Sequence, residues 1–144
     1  MSDMGLGHSL GSGSVLDGWP RYLLWLVGIS SVLNGAGMYL VPGEWFVAVP
    51  GVTEAGPFNG HFVRDVGAAY VASGAAVILA VKIRAARLPL LGVASLFSVG
   101  HAVRHAIDWV TVEATHHHWH VDAAAVVVPA FVVLWATVVA WRGN

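Results

Sequence analysis

The sequence predicts an all-α fold, a four-helix bundle that is integral to a membrane. The chain has 144 residues, of which 57% are hydrophobic and only 10% are charged, and its mean hydropathy is +0.71. Soluble globular chains carry about 25% charged residues. A soluble domain of this length also leaves a large fraction of its surface exposed to solvent, so it could not bury this much apolar area. The lipid bilayer is therefore the expected surroundings.

Four segments are long and apolar enough to cross a bilayer, which takes about 20 helical residues each. The predicted spans cover residues 19–41, 60–81, 88–112 and 121–141, and they form one transmembrane domain, 19–144. Residues 1–18 are rich in Gly and Ser and are expected to form a flexible N-terminal segment. Small residues between 67 and 76 predict a smooth face for close helix packing on the second span.

The positive residues predict the orientation of the bundle. Lys82, Arg84 and Arg87 crowd the link between the second and third spans, and Arg21 and Arg142 lie beside the first and last spans. The other links carry acidic residues without Lys or Arg. Both termini and the middle link are therefore expected in the cytoplasm. A net charge of −1 with seven Lys and Arg gives no reason to expect nucleic acid as a partner.

This orientation gathers the unusual polar residues in one layer near the outer face. An ionisable side chain within a membrane costs roughly 3 kcal/mol on insertion scales, and it is usually kept because it pairs, binds or contacts water. The layer is therefore the candidate site. Its members are His61, Arg64, Asp65, His101, Arg104, His105, Asp108, His116, His117, His118, His120 and Asp122.

The third span supplies the centre of a predicted metal site. His101 and His105 are spaced i, i+4, which lets two imidazoles on one helix face reach one ion. Asp108 lies on the same side of this helix. Asp65, Asp108 or His61 is expected as a third or fourth ligand, or as a partner that orients the imidazoles. Such ligands favour copper or zinc, with iron as a further option. The alternative is a pair of neutral imidazoles hydrogen-bonded to neighbouring helices, or a hydrated polar seam between the helices.

The link before the fourth span contains a run of histidines, HHHWHVD, from His116 to Asp122. Histidine runs bind divalent metal ions, so His116, His118 and His120 are candidate additional ligands. The possible i, i+4 pairs are His116 with His120 and His118 with Asp122. The alternative is a solvated loop with a helix-capping aspartate. The sequence leaves open which of these histidines turn inward.

Two arginines accompany the acidic residues of the layer. Arg64 and Arg104 are candidates for orienting an anionic headgroup or a carboxylate substrate. The alternative, which we favour, is that they neutralise Asp65 and Asp108, for example through a pair between Asp65 and Arg104 across two helices.

Two stretches carry a family resemblance. PGVTEAGPFNGHFVRDVGAAYVASG (50–74) and HAVRHAIDW (101–109) resemble a group of small bacterial four-span membrane proteins, with the GPFN-HFVRD segment as the most specific part. Size and span count are also similar to those of DoxX-like membrane proteins. The resemblance implies a four-helix fold located in the bacterial cytoplasmic membrane.

Three functions are consistent with these features. The first is a metal-dependent oxidoreductase that acts on a small or lipophilic substrate from the bilayer. The second is a non-catalytic accessory subunit, held to other subunits of a membrane complex or to further copies of the chain, in which the polar layer is an ion-pair network. A small carrier ranks last, because transporters need polar groups toward both faces and the cytoplasmic halves of these spans are apolar.

Overall fold

The computed structural model of the chain describes residues 14–111 and 119–143. All regular elements within these residues are helices, which confirms the predicted all-α class. The four long helices are α1 (Pro20–Leu40), α2 (Gly60–Lys82), α3 (Arg87–Thr111) and α4 (Trp119–Arg142). Each of them is long and apolar enough to cross a membrane, as a multi-pass membrane protein requires.

Successive helices run antiparallel, so the bundle has two chemically different ends. The histidine end carries His61, His101, His105 and Asp122. The basic end carries Arg21, Lys82, Arg84, Arg87 and Arg142. Between the two ends, large apolar side chains such as Leu26, Leu96 and Phe131 point away from the bundle. An exposed apolar surface of this extent suits lipid rather than water.

Glycines bring α1 and α2 into close contact, as the small residues of the second span predict. Gly28 faces Gly74, and Gly35 faces Gly67. A Cβ atom at Gly74 would lie 2.6 Å from the carbonyl oxygen of Gly28, and one at Gly67 would lie 2.8 Å from that of Gly35. The two backbones are therefore too near for any larger residue, which is a common way of packing helices in lipid.

The apolar core occupies the half of the bundle next to the basic end. Each of the four long helices contributes to it, with Leu24, Val77, Leu91 and Val133 almost completely buried. Leu16 joins them from a 3₁₀ turn, Val15–Asp17, whose first backbone groups are capped by the hydroxyl of Ser14. Of the N-terminal segment predicted to be flexible, residues 14–18 thus pack against the bundle, and residues 1–13 lie outside the described residues.

An ion pair fastens this N-terminal turn to the start of α3. Nη2 of the Arg87 guanidinium donates to Oδ1 of Asp17 at 2.8 Å, and Nη2 of Arg84 lies 2.9 Å from Oδ2 of Asp17. Nε of Arg87 also donates to the carbonyl of Ala80 at 3.0 Å, so this buried guanidinium has partners on both sides. Burial alone raises the pKa of Asp17, but the Arg87 hydrogen bond and the two positive charges outweigh it and lower the pKa below its ordinary value of 3.8.

The link between α1 and α2 folds against the histidine end. It contains a short helix, Pro42–Ala48, which the sequence analysis did not predict. The indole nitrogen of Trp45 in this helix donates to the side-chain oxygen of Asn34 in α1 at 3.0 Å. Asn59 then begins α2 by accepting hydrogen bonds from the backbone N–H groups of His61 and Phe62. The start of α2 is thereby fixed close to the end of α1.

Candidate functional site

Two imidazoles and one carboxylate cluster at the histidine end, between α3 and α4. Nδ1 of His105 lies 3.2 Å from Oδ2 of Asp122. The indole nitrogen of Trp109 donates to the same oxygen at 3.3 Å. One helical turn deeper on α3, the ring of His101 packs edge-on against the His105 ring, with 4.7 Å between the centroids. The side chains of His105 and Asp122 are less than one-third exposed.

Aromatic rings hold His101 in place from two sides. The ring of Phe97 stacks on the imidazole, with centroids 5.8 Å apart and planes 10° from parallel. The ring of Tyr70, which comes from α2, meets His101 edge-on at 5.5 Å. Tyr70 and Phe97 also contact each other at 5.1 Å. The imidazole is therefore held in one orientation by packing, which is what a ligand or a proton-transfer group requires.

A small cavity of about 30 Å³ lies beside His101 in the interior of the bundle. Its polar lining comes from three helices, with Ser31 on α1, Tyr70 and Ser73 on α2, and Ser98 on α3. A space of this size holds one or two water molecules or a single ion, and the hydroxyl groups supply the hydrogen-bonding partners that ordered water needs. It is too small for an organic substrate.

A wide helical turn completes the cavity wall. Residues Ala123–Val127 of α4 form a π-helical turn directly after Asp122, and Ala125 lines the cavity. Pro129 explains the wide turn, because its ring has no N–H to donate to the carbonyl of Ala125 and would clash with it in a regular helix. Single π turns occur frequently at functional sites.

His61 and Asp65 do not join this cluster. They lie one turn apart on α2, with 3.4 Å between Nε2 of His61 and Oδ2 of Asp65, and their side chains are 89% and 64% exposed. Neither side chain lies within ion-pairing distance of His101 or His105. The carboxylate beside the imidazoles comes instead from Asp122 on α4.

The two arginines and Asp108 likewise have partners outside the cluster. Arg104 and Asp108 form an exposed ion pair along α3, with 2.5 Å between the nearest nitrogen and oxygen. Arg64 donates to the backbone carbonyls of Tyr39 and Gly60, each at 3.3 Å. The suggested pair between Asp65 and Arg104 is not formed. Asp65 pairs with His61 on α2 and Asp108 pairs with Arg104 on α3, so neither ion pair links two helices.

The histidine run lies largely beyond the described residues. His116 and His118 fall in the range 112–118, outside them. His120, in the first turn of α4, is exposed, and its ring meets the Trp119 ring edge-on at 5.9 Å. Over residues 14–111 and 119–143, no group of three or more His, Asp or Glu side chains is arranged to hold a metal ion.

The sequence analysis does not predict two contributors to the site, Tyr70 and Phe97, and it predicts a third, Asp122, with a different role. Asp122 is expected in the outer layer as a helix cap or as a partner of His118, and its contact with His105 is not predicted, because spacing within one segment cannot reveal a partner on another helix. Tyr70 carries no signal beyond being a tyrosine inside a span. Phe97 could have been found, since it lies one helical turn before His101 and residues at i, i+4 share a face.

Comparison with known protein families, characterised proteins and solved structures finds no match to this chain. The assignment of the site therefore rests on the geometry of its own residues.

Proposed function

We propose that this multi-pass membrane protein binds a transition-metal ion through the imidazoles of His101 and His105. The observation that carries the proposal is the Asp122 carboxylate, 3.2 Å from Nδ1 of His105. A carboxylate at this distance favours the tautomer with the proton on Nδ1, which leaves the lone pair of Nε2 for an ion. Histidines that bind metals almost always place their second ring nitrogen against such an acceptor.

The donor set narrows the identity of the ion and its chemistry. The chain has no cysteine, and imidazole ligands suit copper and zinc, with iron as a further option. Structural centres are closed by four protein ligands, whereas catalytic centres keep an open coordination position, and two imidazoles leave such positions open for water or substrate. A redox-active ion there supports oxidoreductase activity. The cavity beside His101 holds only water or an ion, so a small or lipophilic substrate would bind outside this cavity, and we propose that it arrives from the bilayer.

Metal analysis of the purified protein tests the proposal. Wild type is expected to retain about one ion per chain, and the His101→Ala/His105→Ala variant is expected to lose it. His61→Ala is the matched control, because His61 also faces a carboxylate one turn away but lies outside the cluster. Equal, substoichiometric metal in wild type and in the double variant would refute the proposal.

The histidine run needs its own control, since such runs bind divalent ions by themselves. The same variants are therefore also made in a background in which His116, His117 and His118 are replaced by Asn. The ion is expected to remain in this background and to disappear with His101 and His105. Retention of the ion by the double variant in this background contradicts their role as ligands.

We also propose that the basic end faces the cytoplasm and that the histidine end faces outward across a bacterial cytoplasmic membrane. Five of the seven Lys and Arg residues lie at the basic end, and cytoplasmic links carry such an excess. Because the chain has no cysteine, single cysteines report on topology without interference. A Thr53→Cys variant should react with an impermeant maleimide on intact cells, and Ala85→Cys only after lysis. The reverse pattern contradicts this orientation.

A further inference from the structure

A second and larger cavity lies at the basic end, between the start of α1 and the end of α2. Its volume is about 470 Å³, within the range of ligand-binding pockets in general. We name it the basic cavity. It is lined by Arg21, Tyr22 and Trp25 of α1, by Lys82 at the end of α2, by Arg84 in the link that follows α2, and by Asp17.

The charges around the basic cavity do not cancel. Asp17 is its only carboxylate among the described residues, and the buried Arg87 already pairs with it. Arg84 pairs with Asp17 through one guanidinium nitrogen, and most of its side chain is exposed. Arg21 lies against the Tyr22 ring, and Lys82 lies 5.4 Å from the centre of the Trp25 ring. Over residues 14–111 and 119–143 neither side chain forms a salt bridge, although the charge of Asp17 acts on Arg21 from a distance. The cavity therefore presents an excess of positive charge.

Apolar surface continues from the basic cavity along the spans. Leu26 lies one turn beyond Tyr22 on the same face of α1, and Leu79 lies one turn before Lys82 on the same face of α2. Both leucines are exposed, at 65% and 42%. A molecule with an anionic head in the cavity thus meets an apolar surface leading toward the centre of the membrane, which suits a lipid better than a free anion.

We propose that the basic cavity binds the phosphate headgroup of an anionic phospholipid, with its acyl chains lying along α1 and α2. The phosphate lies among Arg21, Lys82 and Arg84, since guanidinium and ammonium groups donate to phosphate oxygens. Tyr22 and Trp25 lie at the level of the headgroups, where such amphipathic rings are favoured. Basic pockets between spans on the cytoplasmic side are suited to this type of ligand.

Native mass spectrometry of the detergent-solubilised protein tests the proposal. Phosphatidylglycerol and phosphatidylcholine with the same acyl chains are titrated separately onto the wild type and onto the Arg21→Gln/Lys82→Gln variant. These two residues are chosen because, unlike Arg84 and Arg87, neither holds Asp17. With about 1 kcal/mol for each basic residue, the double variant should bind phosphatidylglycerol about thirtyfold more weakly and phosphatidylcholine nearly as before.

The control variant is Arg142→Gln, which removes a positive charge from the same end but outside the basic cavity. It should keep the wild-type affinity within about twofold, since a charge beyond the cavity acts only through the screened surface potential. Inorganic phosphate at millimolar concentration should fail to displace the bound phosphatidylglycerol. Equal affinities for the two lipids, an equal loss in Arg142→Gln, or displacement by inorganic phosphate overturns the proposal.

Discussion

Nδ1 of His105 and Oδ2 of Asp122 lie 3.2 Å apart, although the two residues belong to different helices. Because of this contact, the site contains residues of two helices, the i, i+4 pair of histidines on α3 and the carboxylate on α4. The carboxylate orients His105, the aromatic rings of Phe97 and Tyr70 orient His101, and the wide turn after Asp122 borders the cavity beside them. The proposed function depends on this joint arrangement.

Replacing Asp122 with Asn should weaken metal binding about 10- to 100-fold, because the neutral amide no longer favours the Nδ1 proton of His105. The side chain keeps its size, and its oxygen can still accept from the indole of Trp109. Competition with a chelating dye for zinc measures the change. Asp108→Asn is the matched control, since Asp108 pairs with Arg104 on the exposed face of α3. Similar losses in both variants contradict a specific role for Asp122.

Gly67→Ala should destabilise the bundle by about 1–3 kcal/mol, the usual cost of overpacking. A Cβ there meets the backbone oxygen of Gly35 and Cβ of Met38, each at 2.8 Å, so α1 and α2 must move apart. Gly100→Ala on α3 is the control, because a Cβ there has no neighbour within 4 Å and alanine favours helix. Unfolding in detergent followed by circular dichroism compares the two. Equal stability of both variants argues against close packing at Gly67.

A hydroxyl pair connects α3 and α4 on the core side of the site. Thr137 donates to the carbonyl of Val133 at 2.8 Å, so its single proton is used, and Ser95 is the donor in the 2.7 Å contact between the two hydroxyl groups. A double-mutant cycle of Ser95→Ala and Thr137→Val should give a coupling free energy of about 0.6 kcal/mol, the average for such bonds in lipid. Additive single effects would show that this contact contributes nothing measurable.

The spans themselves were predictable because hydropathy is a local property of the sequence. The third span, expected over 88–112, is Arg87–Thr111, and the second, expected over 60–81, is Gly60–Lys82. The lengths of the helices follow from the thickness of the bilayer, because a helix needs about 20 consecutive apolar residues to cross it and such runs are visible in the sequence. The short helix Pro42–Ala48 was missed because its seven residues carry too little periodic signal.

Contacts between helices were less accessible to sequence reasoning. The spacing of His101 and His105 predicts two imidazoles on one face of α3, and their ring centroids lie 4.7 Å apart. Asp65 is expected beside them, where the structure has Asp122. Which residues meet across two helices depends on the register of packing, and glycine contacts set that register for α1 and α2. Asp65 pairs instead with His61, one turn away on the same helix, and such a pair forms whatever the tertiary arrangement of the helices.

The lowered pKa of Asp17 predicts how stability responds to acid. A carboxyl group whose pKa falls on folding stabilises the protein above its unfolded pKa, and this contribution disappears as the pH falls through the folded value. For Asp17 the loss begins near the ordinary value of 3.8 and continues below it. Wild type should therefore exceed Asp17→Asn in stability by a constant amount from pH 7 to about pH 5, and the difference should shrink below about pH 4.

Thermal unfolding of both proteins in one detergent, measured from pH 7 to pH 3, tests this expectation. The comparison isolates Asp17, because the other carboxyl groups titrate in both chains and their contributions cancel in the difference. Both proteins contain the same arginines, so the change in the difference reflects the carboxyl group of Asp17 alone. A difference that persists unchanged at pH 3 would mean that the ion pair between Asp17 and Arg87 does not hold the N-terminal turn through its charge.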